Sequence, residues 1–292
     1  MVHSITFSGL KLHGSLITLF IFRSRSIFTI FFDASTWLQT STYTHALLPS
    51  SVVADASVTV ADPTLYRSVV GALQYITLTC PELSFSINRV YQFMDNPQLP
   101  HWTAVKRILR YLAGSTTQGL RLYPSPNYLV VSFSDSDWAI DLDDRKSVLG
   151  YCIYVGRNLI FRSSKKQKVV SHSSTEAEYR SVVVALADIL WIKSLMAELR
   201  LPTSTPRLYS DNMGAVQLAA NPVMHSRSKH FDLDLHFVRD YVQDKRLILL
   251  HLPVQFQVAN ILTKLVSGAS FHNFKRKLRV LDLPTLSLRG GC

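Results

Sequence analysis

The stretch VVSFSDSDWAIDLDDRKS, from Val130 to Ser147, joins an apolar run typical of a β-strand to five aspartates within ten residues. The whole chain carries a formal net charge of +11, so this acidic segment stands apart from the rest of the sequence. Either it is a solvated loop, or it collects divalent cations on a protein whose surface attracts phosphates. The neighbouring segments bear on this choice.

The composition is that of a folded protein with a buried core. The chain has 292 residues, of which 47% are hydrophobic and 17% charged, and this balance excludes a disordered tail. The positive net charge favours a polyanionic partner, with nucleic acid ahead of a membrane surface. The cysteines are far apart and form no CxxC pair, which indicates neither a disulfide framework nor a zinc site: Cys80, Cys152 and Cys292. We therefore expect an intracellular protein, cytoplasmic or nuclear.

Residues 1–61 have the least predictable fold. Two apolar runs, SLITLFIF and SIFTIFF, are separated by Arg23 and Arg25. Each run is much shorter than the roughly 20 residues that cross a bilayer, so we predict neither a transmembrane helix nor a signal peptide. Short strands are the expected structure, and no membrane partner is predicted.

Residues 62–126 are predicted to form a small helical unit. Asp62-Pro63 provides an N-cap and a proline at the first helical position, followed by apolar residues at helical spacing. A second helix follows Pro81, and a third runs from about His101 to Gly114. The third helix has basic residues off its apolar face, which a solvated surface explains as well as nucleic-acid contact does: Lys106, Arg107 and Arg110.

The following segment alternates strands and helices, beginning with three strands. Tyr128–Asp135, Gly150–Gly156 and Leu159–Ser164 are predicted to form an antiparallel meander, with a tight turn at Arg157-Asn158. The elements predicted after it are a helix over 174–199, a strand over 207–210, helices over 212–220 and 231–243, the strand RLILLHL and a helical region from about residue 258. The pattern is that of an α/β fold.

Three acidic residues are predicted to meet at one edge of the sheet. Asp135 and Asp211 each follow a strand, and parallel neighbouring strands would bring both carboxylates to the same carboxyl edge. Glu178 belongs to the apolar stripe of the long helix, where a lone carboxylate is costly to bury unless it is paired or metal-bound. The apolar members of this stripe are Val182, Ala185, Leu186 and Ile189.

The local pattern offers these carboxylates no Lys or Arg partner, and a hard cation with oxygen ligands would relieve their repulsion. Magnesium is the natural candidate, and two such ions about 3.5–4 Å apart hold and cleave a phosphodiester in many nucleases. Helix-capping or turn roles explain the same residues, and spacing alone leaves both interpretations open. The other aspartates of the opening stretch are expected to lie in a solvated loop, with Asp137 as an outer contact of the metal: Asp137, Asp141, Asp143 and Asp144.

The lysines of RSSKKQK are typical of a solvated turn, and phosphate contact is an equal alternative beside a nuclease site: Lys165, Lys166 and Lys168.

Several long motifs, in order, resemble the ribonuclease H portion of copia-type LTR retrotransposon polyproteins, preceded by the connecting segment of the reverse transcriptase. The motifs span about residues 62–280 and are YRSVVGALQYITLTCPELSFSINRVYQFM, HWTAVKRILRYLAGS, SFSDSDWAIDLDDRKSVLGYCIYVG, SSKKQKVVSHSSTEAEYR, LYSDNMGAV, NPVMHSRSKHFDLDLHFVRDYV and ANILTK. The resemblance implies a ribonuclease H-like mixed five-stranded sheet flanked by helices, after a small helical segment. The implied division is a reverse-transcriptase remnant at 1–61, the connecting segment at 62–126, the ribonuclease H-like domain at 127–285 and a tail at 286–292.

The resemblance also implies an activity and its residues. The RNA strand of an RNA–DNA hybrid would be cut with two Mg²⁺ ions, or Mn²⁺ in their place, and without a small-molecule cofactor. By motif, the catalytic and metal-binding acids are Asp135 in SFSDSDW, Glu178 in TEAEY and Asp211 in LYSDN. The oligomeric state is not predicted.

Two departures from the family pattern qualify this expectation. Asn260 in ANILTK stands where the family usually has aspartate, the fourth acid, so reduced activity is expected. The alternative is an impaired or inactive nucleic-acid-binding relic of the same domain. The polymerase signature, a pair of aspartates after a Tyr or Phe, is absent upstream of these motifs, so DNA synthesis is not expected.

Overall fold

The computed structural model describes residues 19–22, 60–115, 117–141, 143–221 and 231–282. Its strands are β1 Leu19–Phe22, β2 Gln118–Leu122, β3 Val130–Asp137, β4 Val148–Val155, β5 Asn158–Lys166, β6 Arg207–Ser210, β7 Ile248–His251 and β8 Val280–Asp282. Its α-helices are α1 Pro63–Ile76, α2 Ser84–Tyr91, α3 Leu99–Ala113, α4 Ser174–Glu198, α5 Met213–Ala220, α6 Asp232–Gln243 and α7 Gly268–Lys277. Short 3₁₀ turns cover Pro81–Leu83, Val254–Phe256 and Val258–Leu262.

The central sheet has the strand order β5-β4-β3-β6-β7. The first three strands are antiparallel, and β6 runs parallel to both β3 and β7. This confirms the predicted ribonuclease H-like class, a mixed five-stranded sheet flanked by helices. β3 and β6 are parallel neighbours, which is the condition under which Asp135 and Asp211 reach the same edge of the sheet.

The hairpin between β4 and β5 turns one residue earlier than predicted. Its turn residues are Gly156 and Arg157, and Asn158 already belongs to β5. Gly156 has a φ of +60°, a conformation that costs glycine little and other residues more. β5 also continues to Lys166, so Lys165 and Lys166 lie in a strand and not in the predicted turn.

One face of the central sheet packs against α4. The predicted stripe of α4 is buried there with Leu149, Tyr151 and Ile153 of β4. The stripe consists of Val182, Ala185, Leu186 and Ile189. Because α4 is held by this apolar face, its first turns are fixed over the ends of β3 and β4.

The helices α1 to α3 form an apolar cluster of their own. Asp62 caps α1 by accepting a hydrogen bond from the backbone N–H of Leu65 at 2.9 Å. α3 begins at Leu99, two residues before the predicted start, because Gln98 acts as its cap and donates its N–H to His101 Nδ1 at 3.0 Å.

A second sheet, of order β1-β2-β8, was not predicted. β1 lies in the first apolar run, and the rest of 1–59, like the tail 286–292, lies outside the described residues. β2 pairs with β8 across the proposed boundary between 62–126 and 127–285, and that division stays a proposal. This sheet, α7 and the turn Val258–Leu262 bury an apolar cluster on the other face of the central sheet.

In the part of the chain that the structure describes, no helix combines the length and the apolar character needed to cross a bilayer.

Candidate metal centre

Three elements bring the predicted acids together. Asp135 lies on β3, Glu178 in the first turns of α4, and Asp211 directly after β6. One carboxylate oxygen from each residue lies within 4.8 Å of the others. The parallel pairing of β3 and β6 accounts for the meeting of the two aspartates, and α4, which connects β5 to β6 across the sheet, supplies the glutamate.

One carboxylate oxygen of Glu178 accepts a hydrogen bond, and the other has no partner among the described residues. The carboxylate is 5% exposed, and its Oε1 accepts a hydrogen bond from the backbone N–H of Ser136 at 3.1 Å. Its Oε2 is buried and has no hydrogen-bond partner among the described residues. A buried carboxylate oxygen without a donor is costly, and a bound cation would satisfy it.

Glu176, two residues before Glu178, has a structural role at the start of α4. Its backbone N–H donates to Ser173 Oγ at 3.1 Å, which caps α4. Its side chain accepts from the His172 N–H at 2.9 Å and pairs with Arg180 at 2.7 Å. The side chain of Glu176 is therefore already used in organising the start of the helix.

Asp135 has two partners that the sequence did not reveal. The residue is 1% exposed, and the hydroxyl of Thr263 donates a hydrogen bond to its Oδ2. The ammonium group of Lys264 lies 3.3 Å from its Oδ1. The sequence near the three acids offers no basic partner, and Lys264 comes from a distant segment. Lys264 is 129 residues away in the sequence, and only the tertiary fold brings it to the centre.

Burial and neighbouring negative charge raise the pKa of Glu178 and of Asp211. Burial, followed by the charges of Asp135 and Asp211, raises the pKa of Glu178 well above its ordinary value. Burial and the charge of Asp135 raise the pKa of Asp211 to about 6, although Lys264 acts in the opposite direction. The pKa of Lys264 is itself raised, because the charges of Asp135, Asp137 and Asp211 outweigh its burial. Ionising all three carboxyl groups would therefore place more negative charge in the centre than Lys264 compensates.

The turn that carries ANILTK lies against this centre. It is a 3₁₀ turn, Val258–Leu262, and it begins the helical region that was predicted from about residue 258. Asn260 is 5% exposed, and its Nδ2 donates to the carbonyl of Val254 at 3.2 Å. Its Oδ1 is buried without a hydrogen-bond partner in the described part of the chain. Thr263 and Lys264, which follow this turn, both contact Asp135. Asn260, at the position of the expected fourth acid, therefore belongs to the segment that packs against the acidic centre.

Gly150 allows this turn to approach the sheet. It pairs with Asp135 in the register of β3 and β4. A Cβ on Gly150 would lie 2.6 Å from Thr263 Cγ2 and 2.8 Å from Leu262 Cβ. A side chain here would displace the turn, so the glycine is what permits Thr263 to reach Asp135.

The acidic loop after β3 is not uniformly solvated. Asp141 is 4% exposed, and its Oδ2 lies 3.2 Å from Arg89 and 2.7 Å from Lys166. The expectation of a solvated Asp141 is therefore wrong, because α2 and β5 supply two cations that pair with it. Asp143 is exposed, as expected, whereas Asp137 is half-buried at the end of β3 and does not lie in the predicted solvated loop. Its role as an outer metal contact stays a prediction.

The three predicted phosphate-binding lysines have different environments. Lys166 is engaged by Asp141 at 2.7 Å and by Asp144 at 3.0 Å, whereas Lys165 and Lys168 are exposed. Between them, the side chain of Gln167 donates hydrogen bonds to Ser136 Oγ at 3.2 Å and to the carbonyl of Ala177 at 2.9 Å. Because Ser136 follows Asp135, these contacts hold the lysine segment beside the acidic centre.

The donor set suits a hard divalent cation. It consists of three carboxylates, and carboxylate oxygens are preferred ligands of Mg²⁺ and Mn²⁺. The role of Asn260, on the neighbouring turn, as a further ligand stays a prediction. The buried, unpartnered oxygens of Glu178 and Asn260 are consistent with this fit. The arrangement identifies a candidate metal centre but not the ion.

No protein-family model matches the chain. The Retrovirus-related Pol polyprotein from transposon RE2 of Arabidopsis thaliana is 48% identical over 224 residues, which are 76% of this chain and 15% of that polyprotein. The corresponding polyprotein from transposon RE1 of the same plant is 47% identical, again over 76% of this chain and 15% of its own length. The chain thus spans about 15% of the length of these curated relatives. Among solved structures, LC11-RNase H1 isolated from compost aligns with 47% of this chain and 93% of its own, at 14% identity and a TM-score of 0.37.

Proposed function

The chain belongs to the copia-type Pol polyproteins of transposons, and on this premise we propose that its acidic centre hydrolyses the RNA strand of RNA–DNA hybrids. The observation that carries the proposal is the convergence of Asp135, Glu178 and Asp211, whose carboxylate oxygens lie within 4.8 Å of one another. Converging acids at the carboxyl edge of a sheet suit metal-assisted phosphodiester hydrolysis.

Each residue of the centre has a proposed role. Asp135, Glu178 and Asp211 would hold Mg²⁺, or Mn²⁺ in its place, and Asn260 would add a neutral amide oxygen. Two such ions, when bound, activate a water molecule and stabilise the oxygen that leaves the phosphorus. Thr263 fixes the orientation of Asp135, and the Ser136 N–H fixes that of Glu178, so both carboxylates are oriented before any ligand arrives.

Substrate binding is proposed to use backbone phosphates. The net charge of +11 favours a polyanion, and the exposed Lys165 and Lys168 lie beside the centre. Such contacts recognise the shape of the hybrid and not its sequence. The intracellular location, in cytoplasm or nucleus, belongs to the same proposal.

A second candidate function is a hybrid-binding protein with little turnover. It is favoured by the neutral Asn260 at the position of the fourth acid, because an amide is a weaker ligand than a carboxylate. In this case the basic surface would still bind the hybrid, while metal occupancy would limit cleavage.

The test is a strand-specific nuclease assay with the full 292-residue chain. RNA–DNA hybrid labelled on either strand is incubated with Mg²⁺, with Mn²⁺ or with a chelator, and single-stranded RNA and duplex DNA serve as controls. The proposal expects metal-dependent cutting of the RNA strand in the hybrid, with the DNA strand intact. Hybrid binding without cutting would favour the second candidate, and absence of both would contradict the two proposals together.

A further inference from the structure

The acidic centre contains a cation of its own, Lys264. Its ammonium group lies 3.3 Å from Asp135 Oδ1, and its side chain is 32% exposed, while Asp135 is 1% exposed. Burial acts against its charged form, but the negative charges of Asp135, Asp137 and Asp211 raise the pKa of Lys264. The lysine therefore reaches from the surface into the place where three carboxylates meet.

The two oxygens of Asp135 are held differently. Oδ2 accepts from the hydroxyl of Thr263, which is fully buried, whereas Oδ1 faces the partly exposed ammonium group of Lys264. A lysine side chain has a flexible four-carbon stem, and its head group is readily returned to water. Lys264 is thus able to leave Asp135 without disturbing the hydrogen bond that orients the carboxylate.

The charges in the centre make the lysine and a metal ion competitors. When all three carboxyl groups are ionised, as metal ligands are, they carry three negative charges and Asn260 adds none, so the ammonium of Lys264 offsets one of the three charges that a metal ion would use. A cation that stabilises the metal-free state but must be displaced on binding lowers the apparent metal affinity by the same free energy.

We propose that Lys264 is an internal counter-ion that occupies Asp135 in the metal-free protein and must release it when a divalent ion binds. This inference rests on the proposed metal-dependent function. Lys264 would then be a positioning residue that lowers the apparent affinity of the centre for a divalent ion. The ammonium group released from Asp135 remains beside the centre, where a substrate phosphate is its natural new partner.

The experiment measures metal binding in the absence of nucleic acid. Mn²⁺ is titrated into the full chain and followed by electron paramagnetic resonance, for the wild type and for Lys264→Met, Lys264→Gln and Lys264→Arg. Lys193→Met is the matched control, since it removes the same charge from α4 about 22 Å along the helix from Glu178. We expect Lys264→Met and Lys264→Gln to bind Mn²⁺ about tenfold more tightly than the wild type. Lys264→Arg and Lys193→Met should stay close to the wild type.

A second measurement covers the metal-free state. Thermal melting with a chelator should show that Lys264→Met and Lys264→Gln melt at a lower temperature than the wild type, and that added Mn²⁺ raises their melting temperature by the larger increment. The proposal would be overturned if a folded Lys264→Met or Lys264→Gln protein bound Mn²⁺ no more tightly than the wild type.

Asp135→Asn separates failure of this inference from failure of the proposed function. If Asp135→Asn loses the Mn²⁺ binding of the wild type while Lys264→Gln leaves it unchanged, Lys264 is not a competitor but the metal centre stands. If Asp135→Asn and the wild type bind Mn²⁺ equally, the metal centre itself is wrong, and the inference fails with it.

Discussion

The ammonium group of Lys166 lies 2.7 Å from a carboxylate oxygen of Asp141, and the same oxygen lies 3.2 Å from Arg89 of α2. This network joins the helical unit to the acidic loop and to β5. A buried carboxylate with two cationic partners is costly to disrupt on one side only, because the remaining charges lose their compensation.

Asp141→Asn is therefore expected to destabilise the protein by about 1–3 kcal/mol at neutral pH. Although burial acts against it, the contacts with Lys166 and Arg89 lower the pKa of Asp141. A carboxylate with a lowered pKa stabilises the fold above its unfolded value of about 3.9 and loses this contribution as the pH falls through the folded value. Urea unfolding of the wild type and the variant at neutral and acidic pH checks the effect.

The exposed neighbour provides the control for this prediction. Asp143→Asn removes the same charge two residues away and should leave the free energy of unfolding nearly unchanged. Equal effects of the two substitutions would show that the network around Asp141 contributes nothing.

The exposed Lys165 and Lys168 are expected to contact phosphates of the hybrid. Lys166 is not, because it is paired with Asp141 and Asp144. Replacing Lys165 and Lys168 together by Met should weaken hybrid binding and reduce the slope of log affinity against log salt by about 2, as two phosphate contacts would. Lys166→Met should instead lower stability, since Asp141 and Asp144 lose a partner. Hybrid binding measured between about 50 and 200 mM salt distinguishes the two groups. An unchanged slope in the double variant would exclude phosphate contact.

Asp211→Asn is expected to stabilise the metal-free protein at pH 8. Burial and the charge of Asp135 raise the folded pKa of Asp211 to about 6. An acid with a raised pKa favours the fold in its protonated form, so stability is lost as the pH rises from about 3.9 through 6. The variant avoids this loss and should melt higher than the wild type at pH 8 with a chelator, and no higher near pH 4.

Added Mg²⁺ should reverse the order by stabilising only the wild type. Asp240→Asn, at an exposed position of α6, is the control and should follow the wild type under all these conditions. A metal-free Asp211→Asn protein that melts below the wild type at pH 8 would contradict the repulsion described above.

Asn260→Asp is expected to lower metal-free stability and to raise metal affinity. The amide nitrogen of Asn260 donates to the carbonyl of Val254, and a carboxylate oxygen in its place would face that carbonyl in a buried position. A divalent ion would relieve this repulsion, and the fourth carboxylate would strengthen its binding. Melting with and without Mg²⁺, and a Mg²⁺ titration of hybrid cleavage, check both effects. Superimposable cleavage curves would exclude Asn260 as a metal ligand.

The sequence predicted most of the fold because the local signals agreed with the tertiary structure. The stripe of α4, the strands and the cap at Asp62 follow from apolar periodicity and capping residues, which depend on near neighbours. The meeting of Asp135 and Asp211 depended on a parallel pairing of β3 and β6, and the structure has this pairing.

Contacts between distant segments were beyond the reach of these signals. The sheet that joins β2 to β8 and the partners of Asp141 depend on segments that the sequence separates widely. Thr263 and Lys264 lie in the motif ANILTK, yet a Thr-Lys pair has no periodicity that predicts contact with Asp135. The sequence likewise places Gly150 in a strand, but it does not predict that the turn with Leu262 and Thr263 packs against this glycine.

The most direct test of the central claim is the initial rate at which the full chain cuts the RNA strand of a hybrid with Mg²⁺, compared with Asp135→Asn. The amide keeps the size of the carboxylate but gives up a charged metal ligand, so the rate should fall by at least about a hundredfold while hybrid affinity is retained. Equal rates for the two proteins would contradict the assignment of Asp135, Glu178 and Asp211 as the catalytic centre.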